Sequence, residues 1–460
     1  MSLTLFLILT LSIGIIAVGS IYFAYRRSRD SFHPAIYLGL MLFCLYCYIP
    51  LNLLRSSPQE LLYFLSPQQL EHVQVLNLIG TVSLLAGVFF ADKKINLFRY
   101  AKQTWTLSPV IRSRIQTGAI FCGIVGILAY TAGILSAGGF GAAYGDSYGG
   151  GWSTSGYVRE GMLLTLPALL WIMTARIQQR LTTEDWFWIF VFTMPLLFQG
   201  LLGARRGPTA MILISLVMGW HLIKMRRPNL WKTIGGAIAL GMLMLFLVTN
   251  RNNIYLGSDF KFENSASNYL TQAGTGNEFI YGSGAILDAD AKGKYFWGKR
   301  YFTIFFIRPI PRQFWPTKYE DAANFFDIPN LDNSNLGTGA AGLSDTMGWS
   351  GAYGAAPGII ADMWLEFYWF YTVALFLIGW LYGMAWRKVI TYSGLWIPTY
   401  TIMTALSVYL VMQTFEAMAF RFLFTSAASW LIWRFSIDGQ SQKNIVPSHK
   451  YQQYSVHEHK

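Results

Sequence analysis

The sequence predicts an all-α polytopic membrane protein with about eleven transmembrane helices and one long extracytoplasmic loop. Three observations carry this reading. Hydrophobic residues make up 53% of the chain and charged residues only 13%, about half the charge of an ordinary soluble domain. Apolar runs of roughly 20 residues recur, each long enough to cross a bilayer core. Basic clusters fall at alternate ends of those runs, so the net charge of +12 reports topology and not nucleic-acid binding.

The expected spans are 3–25, 35–54, 73–91, 115–136, 159–175, 186–203, 208–223, 230–249, 359–385, 395–413 and 418–434. The first run ends in Arg26, Arg27 and Arg29 and lacks both a basic start and a small-x-small cleavage site, so it reads as an uncleaved span. Further basic clusters occur at Lys93 to Arg114, Arg176/Arg180, Lys224 to Lys232, Arg387/Lys388 and from Arg434 onward. The positive-inside rule makes these cytoplasmic, with the N-terminus outside and the C-terminus inside. The chain then divides into an N-terminal bundle (1–249), a large extracytoplasmic loop (250–358), C-terminal spans (359–434) and a polar, disordered cytoplasmic tail (435–460). Arg55, Arg159, Arg205, Arg206 and Arg421 lie on the outer side in short connections, against the rule.

A second outer segment, 137–156, is Gly-rich and has no helical or strand period. Cys44, Cys47 and Cys122 all fall inside apolar runs, which favours small apolar residues on helix faces over a redox or metal pair. No internal repeat of the transporter kind is visible.

Two constellations carry chemistry. The connection Gly203-Ala204-Arg205-Arg206-Gly207-Pro208 places two adjacent guanidinium groups at the outer membrane surface or just below it. An Arg at a helix centre costs about 2.5–3.5 kcal/mol on insertion scales, and two neighbours repel, so an anionic partner such as phosphate is expected. Snorkelling to lipid headgroups is the plainer alternative. The second constellation runs Trp297-Gly298-Lys299-Arg300-Tyr301, then the apolar FTIFFI, then Arg308-Pro309-Ile310-Pro311-Arg312-Gln313-Phe314-Trp315-Pro316-Thr317-Lys318. The apolar part is too short to span and is expected to lie on the membrane surface or on the bundle. Its prolines hold Arg308, Arg312 and Lys318 on a stiff irregular segment beside aromatic rings. Arg suits phosphate oxygens, and rings such as Trp315 and Tyr301 suit sugar faces.

The stretch GKRYFTIFFIRPIPRQFWPTK resembles the loop motif of bacterial O-antigen and exopolysaccharide repeat-unit polymerases, the Wzy-type family. The later Gly348 to Gly358 run and Glu366-Phe367-Tyr368 resemble the element leading into that family's next span, although Phe-Tyr-Trp-Phe stands after Glu366 where the family often turns at a glycine. The resemblance implies a bundle like those of GT-C-type polymerases and ligases, in the cytoplasmic membrane of a bacterium. It implies transfer of a growing glycan from a polyprenyl pyrophosphate to a hydroxyl of a new lipid-linked repeat unit at the outer face, with no cofactor and no metal. Partners would be the polyprenyl-pyrophosphate-linked oligosaccharide, membrane lipids, a chain-length regulator and a flippase. Catalytic roles would fall to Arg205, Arg206, Arg308, Arg312 and Glu366. Substrate contacts would fall to Trp315, Lys318, Arg251, Tyr301 and Arg421. Glu320, Asp321, Asp345 and Glu416 are further candidates for the base.

None of the six histidines lies in the long loop, and Asp288-Ala-Asp290 is too short a motif to argue for a metal. His72 reads as interfacial. A ligase-type transferase, or a transporter or binding protein for lipid-linked oligosaccharide, stays open on these features.

Overall fold

The computed structural model describes residues 3–92, 107–146, 158–224, 226–258, 278–310, 313–327, 356–392 and 394–437. All regular structure among them is helical. In chain order the helices are α1 (Thr4–Ser28), α2 (Pro34–Phe43), α3 (Ile49–Ser56), α4 (Pro58–Phe64), α5 (Pro67–Ala91), α6 (Pro109–Ser136), α7 (Phe140–Tyr144), α8 (Val158–Gly161), α9 (Thr165–Ala175) and α10 (Thr183–Leu201). They continue as α11 (Arg206–Ile223), α12 (Leu230–Thr249), α13 (Glu278–Lys292), α14 (Lys299–Phe302), α15 (Lys318–Phe326), α16 (Gly358–Phe367), α17 (Tyr371–Tyr392), α18 (Trp396–Ala405), α19 (Ser407–Met412) and α20 (Phe415–Ile437).

Every expected span holds helix, but the helices are unequal. Seven among the described residues are long and apolar enough to cross a membrane: Thr4–Ser28, Pro34–Ser56, Pro67–Ala91, Pro109–Ser136, Arg206–Ile223, Leu230–Thr249 and Gly358–Thr391. Met162–Ala175 and Trp396–Met412 are apolar but shorter. α10 and α20 have the length, yet they carry Glu184 and Asp185, and Glu416, Arg421 and Arg434. Outward faces are apolar, as at Ile15, Phe90 and Phe121, where lipid and not water is the fitting solvent.

Local chemistry sets the starts. Ser66 and Gln69 form a capping box ahead of Pro67, and Ser108 caps ahead of Pro109. Thr182 and Asp185 do the same for α10. Between α2 and α3 the helix widens into a π turn at Cys44–Tyr48, just before Pro50. That is a usual remedy where a proline ring would strike the carbonyl four residues back.

The tightest contact in the core is α5 against α17. A Cβ at Gly87 would run into the Phe376 carbonyl oxygen, and one at Gly379 into that of Leu84. Small residues let backbones approach closely, which is how helices associate where lipid is as apolar as the side chains. Tyr371 Oη donates to the Leu76 carbonyl, and Gly383 abuts Val88, so α17 runs parallel to α5. α16 runs the other way. Ile360 lies on Gly80, while Trp364 bonds Asp290, itself bonded by His72. The chain therefore climbs along α16 and reverses at Tyr368, whose backbone (φ 49°, ψ −135°) is one that side chains rarely adopt.

One end of the bundle is tied by ion pairs. Arg27 lies 3.3 Å from Asp92, Arg227 lies 3.0 Å from Asp30, and Arg176 lies 2.8 Å from Asp185. Trp386 Nε1 also donates to Asp30 at 3.0 Å. The long-loop helices α13, α14 and α15 lie at the opposite end.

Candidate functional site

The Arg205–Arg206 turn joins α10 and α11, which have only 19 and 18 residues against 25 in α1 and α5. Arg206 Nη2 pairs at 2.5 Å with Glu278 Oε1 at the start of α13, where the carboxylate is 2% exposed. α13 packs on the π turn, and Glu278 is within electrostatic range of Cys44, near the middle of Pro34–Ser56. Arg206 and Glu278 thus lie beside the π turn, near the middle of Pro34–Ser56. Arg205 is the residue just before α11 and lies within electrostatic range of Tyr144, which hydrogen-bonds Tyr130 at 3.0 Å.

From this turn a line of contacts runs across the bundle. Gly207 abuts the Tyr409 hydroxyl, and the Arg421 guanidinium stands 4.6 Å over the Tyr409 ring. Arg421 is also 3.9 Å from Glu160. One residue before Arg421, Phe420 carries the Arg308 guanidinium 5.1 Å above its ring. Four sequence candidates from three elements, Arg205 and Arg206 on one turn, Arg308 and Arg421, are therefore linked by contacts along the first half of α20. Arg251 sits half-buried in the turn after α12. Arg312 lies outside the described residues, as does Asp345.

The remaining candidates have structural company. Arg300, 2% exposed, donates from Nε to Glu366 Oε1 at 2.5 Å and from Nη2 to Asp362 Oδ1 at 2.6 Å. Glu366 Oε2 accepts from the Gly298 N–H at 2.8 Å. Tyr301 Oη donates to Asp362 Oδ2 at 2.8 Å, and the Phe415 N–H at the start of α20 donates to the same oxygen at 2.9 Å. Burial alone opposes the Arg300 charge, but Glu366, Asp362 and Glu416 more than offset it and raise the guanidinium pKa well above its ordinary value. Burial first, and then Asp362, push the Tyr301 phenol the same way. Glu366 and Tyr301 thus fasten the long loop to α16 and α20.

Lys318 is fully buried, and its Nζ donates to the carbonyls of Arg308 at 2.8 Å, Ile307 at 3.3 Å and Ile310. It clasps the segment that presents Arg308. The FTIFFI stretch forms a π turn at Thr303–Ile307, with Ile304 and Ile307 packed against Tyr319 and Ala322. Trp315 Nε1 donates to Asp321 at 2.6 Å, and Thr317 donates to the same carboxylate, which lowers the Asp321 pKa.

The chain matches no family model, no curated protein and no solved structure. Its chemistry is therefore read from the arrangement itself. Among the described residues no group of three His, Cys, Asp or Glu is placed to hold a metal ion. A cleft of about 190 Å³ lined by Gln116, Asp185 and Trp188 lies at the opposite end from the arginines. Its Asp185 is already engaged by Arg176, Thr182 and Gln116, which marks a structural knot.

Sequence reasoning missed Arg300, Asp362 and Glu278. Asp362 had a signal, a carboxylate inside the apolar GIIADMWLEF, and an ionisable group in such a run demands a partner. Glu278 follows a polar stretch and had none.

Proposed function

We propose that this protein is a repeat-unit polymerase of O-antigen or exopolysaccharide. On this reading the end bearing Arg27, Arg176, Arg227 and Arg387 faces the cytoplasm of a bacterium, and the arginine line opens to the outer face. The observation that supports it most is the line of contacts that links Arg205, Arg206, Arg308 and Arg421 along α20. Glu278 on Arg206 and Glu160 beside Arg421 supply two carboxylates against four guanidinium groups, and a lipid-linked pyrophosphate would add bidentate acceptor oxygens to that balance.

In the reaction, the bond between the sugar anomeric carbon and the pyrophosphate oxygen breaks, and the pyrophosphate leaves with the electron pair. The acceptor hydroxyl oxygen forms the new glycosidic bond and gives up its proton to a carboxylate or to water. Charge grows on the leaving oxygen, so preorganised guanidinium donors lower the barrier. Arg300 and Glu366 act at one remove, by holding the Arg308 segment in register.

The test is turnover by purified protein with a synthetic polyprenyl-pyrophosphate oligosaccharide, followed by sizing of the products. Arg206→Lys and Arg308→Ala should each lower elongation by about 100-fold while the protein stays in the membrane, the usual loss on removing one such donor. Normal chain lengths in both would sink the proposal. Long chains accumulating on the lipid carrier in variant cells would identify a ligase instead.

A further inference from the structure

At the far end of α13 from Glu278 lies a second, separate cluster. Asp290 Oδ1 accepts from Tyr295 Oη and from Trp364 Nε1, both at 2.8 Å, and its Oδ2 lies 2.8 Å from His72 Nε2. Around this carboxylate stands a ledge of rings. Tyr295 and Tyr368 are 4.5 Å apart, Trp364 and Trp369 are 5.2 Å apart, and Trp297 and Phe370 are 6.5 Å apart. Trp297 and Trp369 are 53% and 48% exposed, and the His72 side chain is 44% exposed.

Two of these aromatic residues are held in left-handed backbone, Trp297 at φ 53° and Tyr368 at φ 49°. Each such residue costs about 1–3 kcal/mol and persists only where its surroundings dictate it. Here they do. The Phe296 and Trp297 N–H groups donate to the Leu365 and Glu366 carbonyls at 2.8 and 2.7 Å, and the Arg300–Glu366 pair locks the strands of chain together. Glycine would serve both turns at no strain, so the rings are there for what they present.

We infer that this ledge is a saccharide subsite, binding sugar residues of the glycan by ring stacking with His72 and Asp290 as hydrogen-bonding partners for hydroxyl groups. Flat rings around a few fixed polar groups match a sugar, which has apolar faces and a polar edge. A membrane belt needs amphipathic rings alone. It needs neither the strained backbone nor a carboxylate wired to three neighbours. Asp290 stands about 18 Å beyond Glu278 along α13, at 1.5 Å per residue. An oligosaccharide covers that length and a pyrophosphate does not. The subsite rests on the polymerase reading for its place in the reaction, with the pyrophosphate at the arginines and sugars some way along the chain at the ledge.

The experiment uses the full chain in lipid nanodiscs. The probe is the soluble oligosaccharide released by mild acid from lipid-linked repeat units, with binding followed by saturation-transfer NMR. Trp297→Gly, Trp369→Ala and His72→Gln should each weaken binding by at least about 10-fold, the effect of losing roughly 1.4 kcal/mol. Trp297→Gly should keep or raise thermal stability, because it removes the ring and the strain together. In the elongation assay these variants should raise KM and leave kcat near wild type. Unchanged affinity in all three, or no saccharide binding by the wild type, overturns the subsite. If binding is lost in the variants but the wild type elongates no lipid-linked donor, the ledge stands and the polymerase reading falls.

Discussion

Replacing Arg300 by Met should be the most damaging single change in the loop, and its cost should depend on pH. The guanidinium makes two charge-assisted hydrogen bonds in a site where Arg300, Asp362 and Glu366 are 2% or less exposed. Removing one partner of a buried ion pair typically costs about 3–5 kcal/mol, since the other charge is left uncompensated. A stranded carboxylate can escape by taking up a proton. For an acid of reference pKa near 4 that costs about 4 kcal/mol at pH 7 and about 1.4 kcal/mol at pH 5. For Glu366 this caps the penalty at about 4 kcal/mol at pH 7 and about 1.4 kcal/mol at pH 5, while Asp362 keeps the Tyr301 and Phe415 donors. The sign is that of a folded-state pKa raised above the unfolded one, so the variant regains stability as pH falls toward the unfolded value. The assay is the fraction of detergent-solubilised protein that stays monodisperse after heating, measured at both pH values for wild type, Arg300→Met and the triple variant with Asp362→Asn and Glu366→Gln. The single variant should be far less stable at pH 7 and close part of the gap at pH 5, and the triple variant should recover stability at pH 7. An Arg300→Met protein as stable as wild type at pH 7, or a gap that widens on acidification, refutes this account.

Other expectations follow from individual contacts. Lys318→Met strands the carbonyls of Ile307, Arg308 and Ile310 and should cost about 3 kcal/mol, seen as faster proteolysis within 299–326; equal protection would count against it. Gly379→Ala drives a methyl into the Leu84 carbonyl and should cost about 1–3 kcal/mol in thermal survival. Gly236→Ala on α12, with nothing within 4 Å, should be neutral or stabilising by up to about 1 kcal/mol. Arg308→Ala loses a single ring contact and should change stability by under about 1 kcal/mol while removing elongation.

The membrane class and the places of the long apolar helices were legible because a bilayer leaves a coarse signature, long apolar runs with basic ends. The partner of the Arg205–Arg206 turn was not. Nothing local says that Arg206 will pair with Glu278 beside the π turn. The loop motif was legible as basic and aromatic, but not in its division of labour. A sequence cannot distinguish an ammonium that meets a ligand from one that, like Lys318, is spent on three carbonyls. Nor can it show that Glu366 faces Arg300 rather than an open site, since the two are joined only by tertiary packing. The ledge was split among residues 72, 290, 295–297 and 364–370, which no short window brings together.

The reversal at Tyr368 bears on how the chain is sewn through the bilayer. Gly358–Thr391 counts 34 apolar-rich residues, enough to suggest one oblique crossing, yet its first part rises and its second part descends. α16 and α17 are therefore two legs of a bend at Tyr368 and not one oblique helix. With α17, the α18–α19 pair and α20 each read as a crossing, the chain changes face an odd number of times after Tyr368. Accessibility tags at Trp297 and Trp369 should report one compartment together, and a tag just past Ile437 should report the other.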